Sequence, residues 1–423
     1  MKRFIFLLLS LTMLCSCTNI HNDEIDSSKP DKFKTSGTLS FIETRELISQ
    51  SDTGAYYMDR TENADWNIRY IDYDTNIDTL LCNRPECTHQ DASCSAFIKY
   101  TGNVYSILSS RDKLFLFSTL AEEPWINKYG ESALSKISVL SKNGENRKDI
   151  ITFAPNQTTL SAKAYDDEHI YTLLMETTIN QNTKNTDVKT FLVAINLHSG
   201  KMTKLMDYSN SFPWIKGVYE DNIIVATNRS EMTSDGINSY EELHYYNINS
   251  CTDSVLYTTK QNQHIETVGS NIYLIDRFSG ITFLNTDFKG ENTIYPVGRK
   301  KEFKTVDLLE AKDDFLIVFE NYDNSYTTNF FILNVNENNV QPFKLHYIYE
   351  NTMYGKDVPP IDIKLSTSNR YLVQIGYKNK EIHYADPLSS SIRKFLIEEP
   401  IFAFISFSDL LTSTPNYQYI NKI

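Results

Sequence analysis

Short apolar runs alternate with polar positions from about residue 50 to the end of the chain. An alternating strand enters Asn or Asp, a polar turn follows, and a second short apolar strand leaves it. Seven copies are legible, with turns near 72–76, 141–144, 196–200, 247–250, 285–290, 334–338 and 385–387. Asn, Asp and Gly suit such turns because they tolerate positive φ or bond their own backbone. The flanking period of two predicts half-buried strands. A further strand pair precedes most copies, as at 104–109 with 113–118, or 214–218 with 222–227. Each unit therefore holds four strands in roughly 40–55 residues, the size of a propeller blade. The chain is expected to be all-β, a β-propeller of seven blades with four antiparallel strands each. Six or eight blades fit with small boundary shifts, and two β-sandwiches are the rival. Residues 401–407, or 38–50 from the other end, are expected to complete the first blade and close the ring.

Composition supports strands. The 423 residues include 27 Tyr and 23 Phe, with few Gly and Pro. Net charge is −13, which argues against nucleic acid and against adsorption to anionic lipid by charge alone.

The first residues carry a different pattern. Lys2 and Arg3 precede an apolar run over residues 4–14. That length suits a signal-peptide core and falls short of the ~20 residues that span a bilayer. Leu14-Cys15-Ser16-Cys17 follows and resembles the bacterial lipobox. The resemblance implies cleavage before Cys17 and diacylglycerol on its thiol. Residues 1–16 then form a signal peptide, and 17–37 a polar, lipidated tether. Residues 38–423 form a single propeller domain, extracytoplasmic and bound to the cell membrane through lipid.

Cys82, Cys87, His89 and Cys94 fall within thirteen positions. Their place in the repeat predicts an insertion at 82–99, after the last strand of blade 1. It is expected to run from the rim towards the central channel, stiffened by Pro85. Three thiolates and an imidazole make a complete structural zinc set with no open position. A disulfide among Cys82, Cys87 and Cys94 is the alternative, natural outside the cytoplasm. Cys251, in the blade 4 hairpin, is expected to lie too far away to pair with them.

The string from residue 81 to 96 resembles a C-x-x-P-x-C-x-H segment with a further Cys. Such a segment occurs in uncharacterised β-propeller lipoproteins of Gram-positive anaerobes. The resemblance implies a lipobox and a propeller body, and it carries over no established activity.

Other motifs are sparse. The run from Asp72 to Asp78 begins like a calcium loop but lacks its Gly and closing Glu. Ser51-Asp52-Thr53-Gly54 is similar to the start of a sialidase Asp-box and does not recur. No serine-hydrolase elbow, zincin, phosphate-loop or dinucleotide signature is present. Trp125, in an insertion within blade 2, is a candidate binding residue if its ring is exposed. The expected role is a ligand- or protein-binding module at the cell envelope, without catalysis. The rival is a carbohydrate-active propeller enzyme with paired carboxylates at the channel mouth.

Overall fold

The computed structural model describes residues 36–423 apart from 43, 46–47, 161–162, 180–185, 210, 234–235, 261–262, 269–270, 277–279, 285–290, 297–302, 313–314, 323–327, 335–338, 349–359, 368 and 390. The signal peptide, Cys17 and the tether up to residue 35 lie outside the described residues.

Seven antiparallel sheets form a ring, each a meander of four main strands. Blade 1 comprises, from axis to rim, Ile48–Gln50, Gly54–Arg60, Trp66–Asp72 and Ile77–Leu80. Blades 2 to 6 follow over residues 105–152, 163–207, 212–258, 263–296 and 303–342. Blade 7 comprises Asp362–Ser366, Arg370–Ala385, Ile392–Ser406 and Gln418–Tyr419. Six of the seven predicted hairpins join the third and fourth strands of blades 1 to 6. The copy at 385–387 instead joins the second and third strands of blade 7.

Blades pack face to face, so their middle strands are apolar on both sides. In Lys113–Ser118, Leu114 and Leu116 enter the core shared with blade 1. Phe115 and Phe117 enter the core shared with blade 3. Each buried side chain of this size contributes about 1.5–3 kcal/mol.

Of the two segments expected to complete blade 1, 401–407 does not and 48–50 does, without closing the ring. Residues 401–406 are the inner half of blade 7's third strand and complete no other blade. Residues 48–50 serve as blade 1's own axial strand. Before them the chain lies along the axis. Ser40–Ile42 pairs with the axial strand of blade 3, Lys163–Tyr165, and Thr44–Arg45 pairs with Ile48–Ser49. Ser36 fastens this segment at the first turn of blade 3, donating to Asp166 at 3.1 Å and accepting from Asp167 N–H at 2.8 Å.

Closure comes from blade 7 in two places. Asn421–Lys422 pairs in parallel with Ile77–Asp78 at the rim of blade 1. Arg69 bonds Asp78 at 2.9 Å and donates to the Ile423 carbonyl at 2.9 Å, and Tyr57 O–H donates to Asp78 at 2.6 Å. The long hairpin 370–406 leans across blade 1 at its other end. His383 N–H donates to the Glu62 carbonyl at 2.7 Å, and the Tyr384 ring reaches Trp125 and Tyr100.

Arg69 and Asp78 are both almost fully buried. Arg69→Met should therefore cost about 3–5 kcal/mol, since it strands the Asp78 carboxylate. Deleting 421–423 should cost less, about 1–3 kcal/mol for the lost hydrogen bonds. Urea unfolding of the two variants checks this order; equal or negligible losses would refute the role of the clasp.

Candidate metal centre

The cluster is built into the rim strand of blade 1. Leu81 N–H donates to the Ile68 carbonyl at 2.9 Å, and Ile68 N–H donates to the Ala96 carbonyl at 2.9 Å. The chain thus leaves and returns at one rung. Phe97–Ile98 then resumes the rim position against Trp66–Asn67. The insertion interrupts a strand and does not run to the channel, which corrects the expected path. Residues 99–104 make that crossing.

Local chemistry folds the loop. Cys87 N–H donates to the Arg84 carbonyl at 3.1 Å, with Pro85 fixing the turn between them. Asp91 Oδ1 accepts from Ser93 N–H at 2.8 Å, and the Asp91 carbonyl accepts from Cys94 N–H at 3.0 Å. His89 takes a left-handed conformation, φ +57°. These turns bring Cys82 Sγ, Cys87 Sγ, Cys94 Sγ and an imidazole nitrogen of His89 within 4.8 Å of one another. His89 Nδ1 lies 3.3 Å from Cys94 Sγ. A tetrahedral ion with metal–sulfur bonds of about 2.3 Å separates its ligand atoms by slightly less than 4 Å. The four residues can hold a metal ion such as zinc after small shifts. All three thiols are free.

The surroundings favour the thiolate at Cys82 and oppose it at Cys94. Burial pushes the Cys82 thiol up, but hydrogen bonds from the Arg84 backbone, Cys87 and the Arg84 side chain outweigh it and bring it down to about 7. Burial dominates at Cys94, held up to about 12, with the Ala96 N–H opposing. Arg84 Nη2 stands 3.6 Å from Cys87 Sγ and donates to the Ser93 carbonyl. A dication with three thiolates carries one net negative charge, which the guanidinium balances. Cys94 is buried, and Cys82 and Cys87 pack with it on Trp66, Ile68, Leu81 and Phe97. A cleft of about 460 Å³ adjoins His89 and is lined by Asp59, Glu62, Asp65, Arg60 and Lys380 among others.

Cys251 sits apart, in the turn before the rim strand of blade 4. It takes φ +53°, and its thiol approaches the Ile248 carbonyl at 3.5 Å. It packs on the core between blades 3 and 4, so it has no part in the cluster.

Trp125 lies on the helix Glu123–Tyr129, started by Pro124. Its ring is buried, not exposed as a binding role requires. Tyr100, Tyr129 and Tyr384 enclose it, and Gly102 presses against it. Gly102 has φ +87°, and a Cβ there would stand 2.5 Å from the indole. The residue wedges blade 7's hairpin onto blade 2.

The two weak motifs are turns. Asp72 Oδ1 accepts from Asp74 N–H, Thr75 N–H and the Thr75 hydroxyl, which leaves it occupied within an Asx turn. Ser51 N–H donates to the Gly54 carbonyl at 2.8 Å, closing blade 1's first turn. Cross-strand pairing also creates one constellation that the sequence hides. His244 Nδ1 meets Asp253 at 2.9 Å, and Nε2 meets the Thr227 hydroxyl at 3.2 Å. Thr227 is 1% exposed, so this chain of bonds ties strands of blade 4 and offers no nucleophile to a substrate.

No protein-family model matches the chain, and no curated protein is similar to it. Solved structures are similar in fold. A prolyl endopeptidase matches 88% of this chain over 55% of its own, at 9% identity and TM-score 0.50. A puromycin-hydrolysing peptidase of Mycobacterium tuberculosis matches 86% over 58% of its own, at 9% identity and TM-score 0.48. An oligogalacturonate lyase in complex with manganese matches 87% over 96% of its own, at 8% identity and TM-score 0.48. The chain spans a little over half the length of the two peptidases. What these likenesses share with the chain is the propeller.

Proposed function

We propose that this chain is a lipid-anchored, extracytoplasmic binding propeller whose rim is stitched by a structural zinc ion. The convergence of Cys82, Cys87, His89 and Cys94 carries the zinc reading. All four positions of a tetrahedral ion would be filled by protein, so zinc would order the loop and open no coordination site to substrate. The Leu14-Cys15-Ser16-Cys17 string carries the anchoring reading. No helix among the described residues is long and apolar enough to cross a membrane, so attachment would rest on the lipidated Cys17.

A binding role is favoured by what lies on the axis. Ser40–Ile42 occupies the axial edge of blade 3, where a ligand of the channel would sit. Recognition then falls to the ends of the ring. In a four-strand meander the first and third turns share one end, and the second turns share the other. Ser36 emerges at the first turn of blade 3, so the tether leaves from the former end. The long second hairpins of blades 3, 4 and 7 and the helix Glu123–Tyr129 project from the latter. That end would face away from the membrane.

Four outcomes are expected. Cys17→Ser should move the protein from the membrane to the soluble fraction and abolish acyl labelling. On the anchored protein, a bulky maleimide should label Leu388→Cys as fast as in detergent and Asn249→Cys more slowly; equal rates would overturn the orientation.

Elemental analysis should give about one zinc per chain, lost in Cys94→Ser and Cys82→Ser and kept in Cys251→Ser. Metal-free protein with two oxidised cluster thiols would establish the disulfide instead.

Assays against envelope polysaccharides should give saturable binding or none, without turnover. Turnover abolished by a carboxylate variant would favour the enzyme reading.

A further inference from the structure

Blade 7 lacks most of a rim strand. Its short fourth strand, Gln418–Tyr419, covers only Ala403 and Phe404 of the third strand. Among the described residues no strand pairs with the outer edge of residues 392–402. Their inner edge is fully paired, from Ile392 opposite Ala385 to Phe402 opposite Gln374. The result is a long exposed strand edge, a ready template for a further strand.

Its side chains are unusual for a solvent edge. Ile392 is 71%, Leu396 67% and Phe395 42% exposed. The run reads Ile392-Arg393-Lys394-Phe395-Leu396-Ile397-Glu398-Glu399-Pro400. Reversed and laid beside itself about Leu396, it matches. Arg393 falls opposite Glu399, Lys394 opposite Glu398, and Phe395 opposite Ile397. Leu396 meets its own copy. Opposite charges at directly facing positions stabilise an antiparallel pair, and like charges there destabilise it. Pro400, which has no N–H to donate, ends the ladder.

Three of the four charges have partners within the chain, and those of Arg393 and Lys394 are made from exposed positions. Lys394 meets Glu381 at 3.1 Å with both side chains at least half exposed, and Arg393 bonds Asp386 from a 59% exposed position. Glu399 is held by Lys422, and among the described residues Glu398 has no ion-pair partner.

We propose that this edge pairs with the same edge of a second copy of the chain, antiparallel about a two-fold axis through Leu396. The occupant is set by the charge order. A basic start and an acidic end on one strand are complementary to that strand reversed. The interface is isologous, so it closes at two copies and builds no fibre. Leu396 and Phe395 would be partly covered, and one short ladder suffices for a weak, reversible dimer.

Cysteine cross-linking of the full chain in membranes tests the register. Leu396→Cys should give a disulfide-linked dimer under mild oxidant, because facing Cα atoms in such a pair lie about 4.5–5.5 Å apart. Ile392→Cys should not exceed the unsubstituted chain, since its partner position is 400 and the two Cys would stand roughly 27 Å apart. Adding Lys394→Glu to Leu396→Cys should lower the dimer yield roughly tenfold, and adding Glu398→Lys as well should restore it. All these positions are on the surface, so folding is retained, and circular dichroism verifies it. Equal cross-linking at 392 and 396, none at 396, or no rescue by the double charge swap would overturn the proposal.

Discussion

A ring of blades has one joint that sequence order does not make, and everything else here depends on it. Blades 1 to 6 each follow the last in the chain, and their apolar faces meet as the chain is laid down. Blade 7 must find blade 1 without a shared strand. It does so with side chains on the faces, Tyr57 against Phe402 and Tyr73 against Phe404, and with residues 421–423 at the rim. The buried Arg69–Asp78 pair holds that rim contact by bonding both strands at once. A buried ion pair is weak evidence of stability by itself. Here its value is geometric, because the guanidinium reaches a carbonyl from the other end of the chain.

The cysteine loop stands beside that joint. It breaks the rim strand of blade 1 just beyond the residues that receive the clasp, 77–78, and the strand resumes at Phe97. A loop of this length inside a rim strand would weaken the edge that closes the ring, since it has little core of its own. A metal ion held by the four residues would answer that weakness by tying both limbs, Cys82 on the outgoing side and Cys94 on the returning side. Placement therefore explains why a sulfur cluster occurs in blade 1 and in no other described blade.

The repeat was legible because it is written in local chemistry. Turn residues such as Asn196 and Asp72 bond the backbone just after them. The cluster was legible because its ligands are close in sequence. What could not be read depends on contacts between distant segments. Trp125 looked available because Tyr129 on its own helix covers it only in part; Tyr384, more than 250 residues away, helps complete the cover. The axial course of Ser40–Ile42 is set by pairing with Lys163–Tyr165, which no local pattern announces. The hairpin at 385–387 carried the right turn chemistry in the wrong place, as second and third strands share that chemistry with third and fourth.

That misplacement has a structural cause with further consequences. Blade 7's third strand runs 15 residues, far beyond what its two-residue fourth strand can cover. The chain between them is diverted through the short helix Phe407–Leu411, started by Ser406 bonding Asp409 N–H. The diversion frees residues 421–423 to reach blade 1, so the rim strand that blade 7 lacks is continued by the segment that closes the ring. The uncovered edge is the other half of the same exchange. An exposed edge with apolar side chains invites indiscriminate pairing. Arg393, Lys394, Glu398 and Glu399 restrict it, because strands with another charge order meet like charges somewhere along the ladder. Closing the ring with the end of blade 7 and leaving a selective edge on the same blade are thus two results of one short strand.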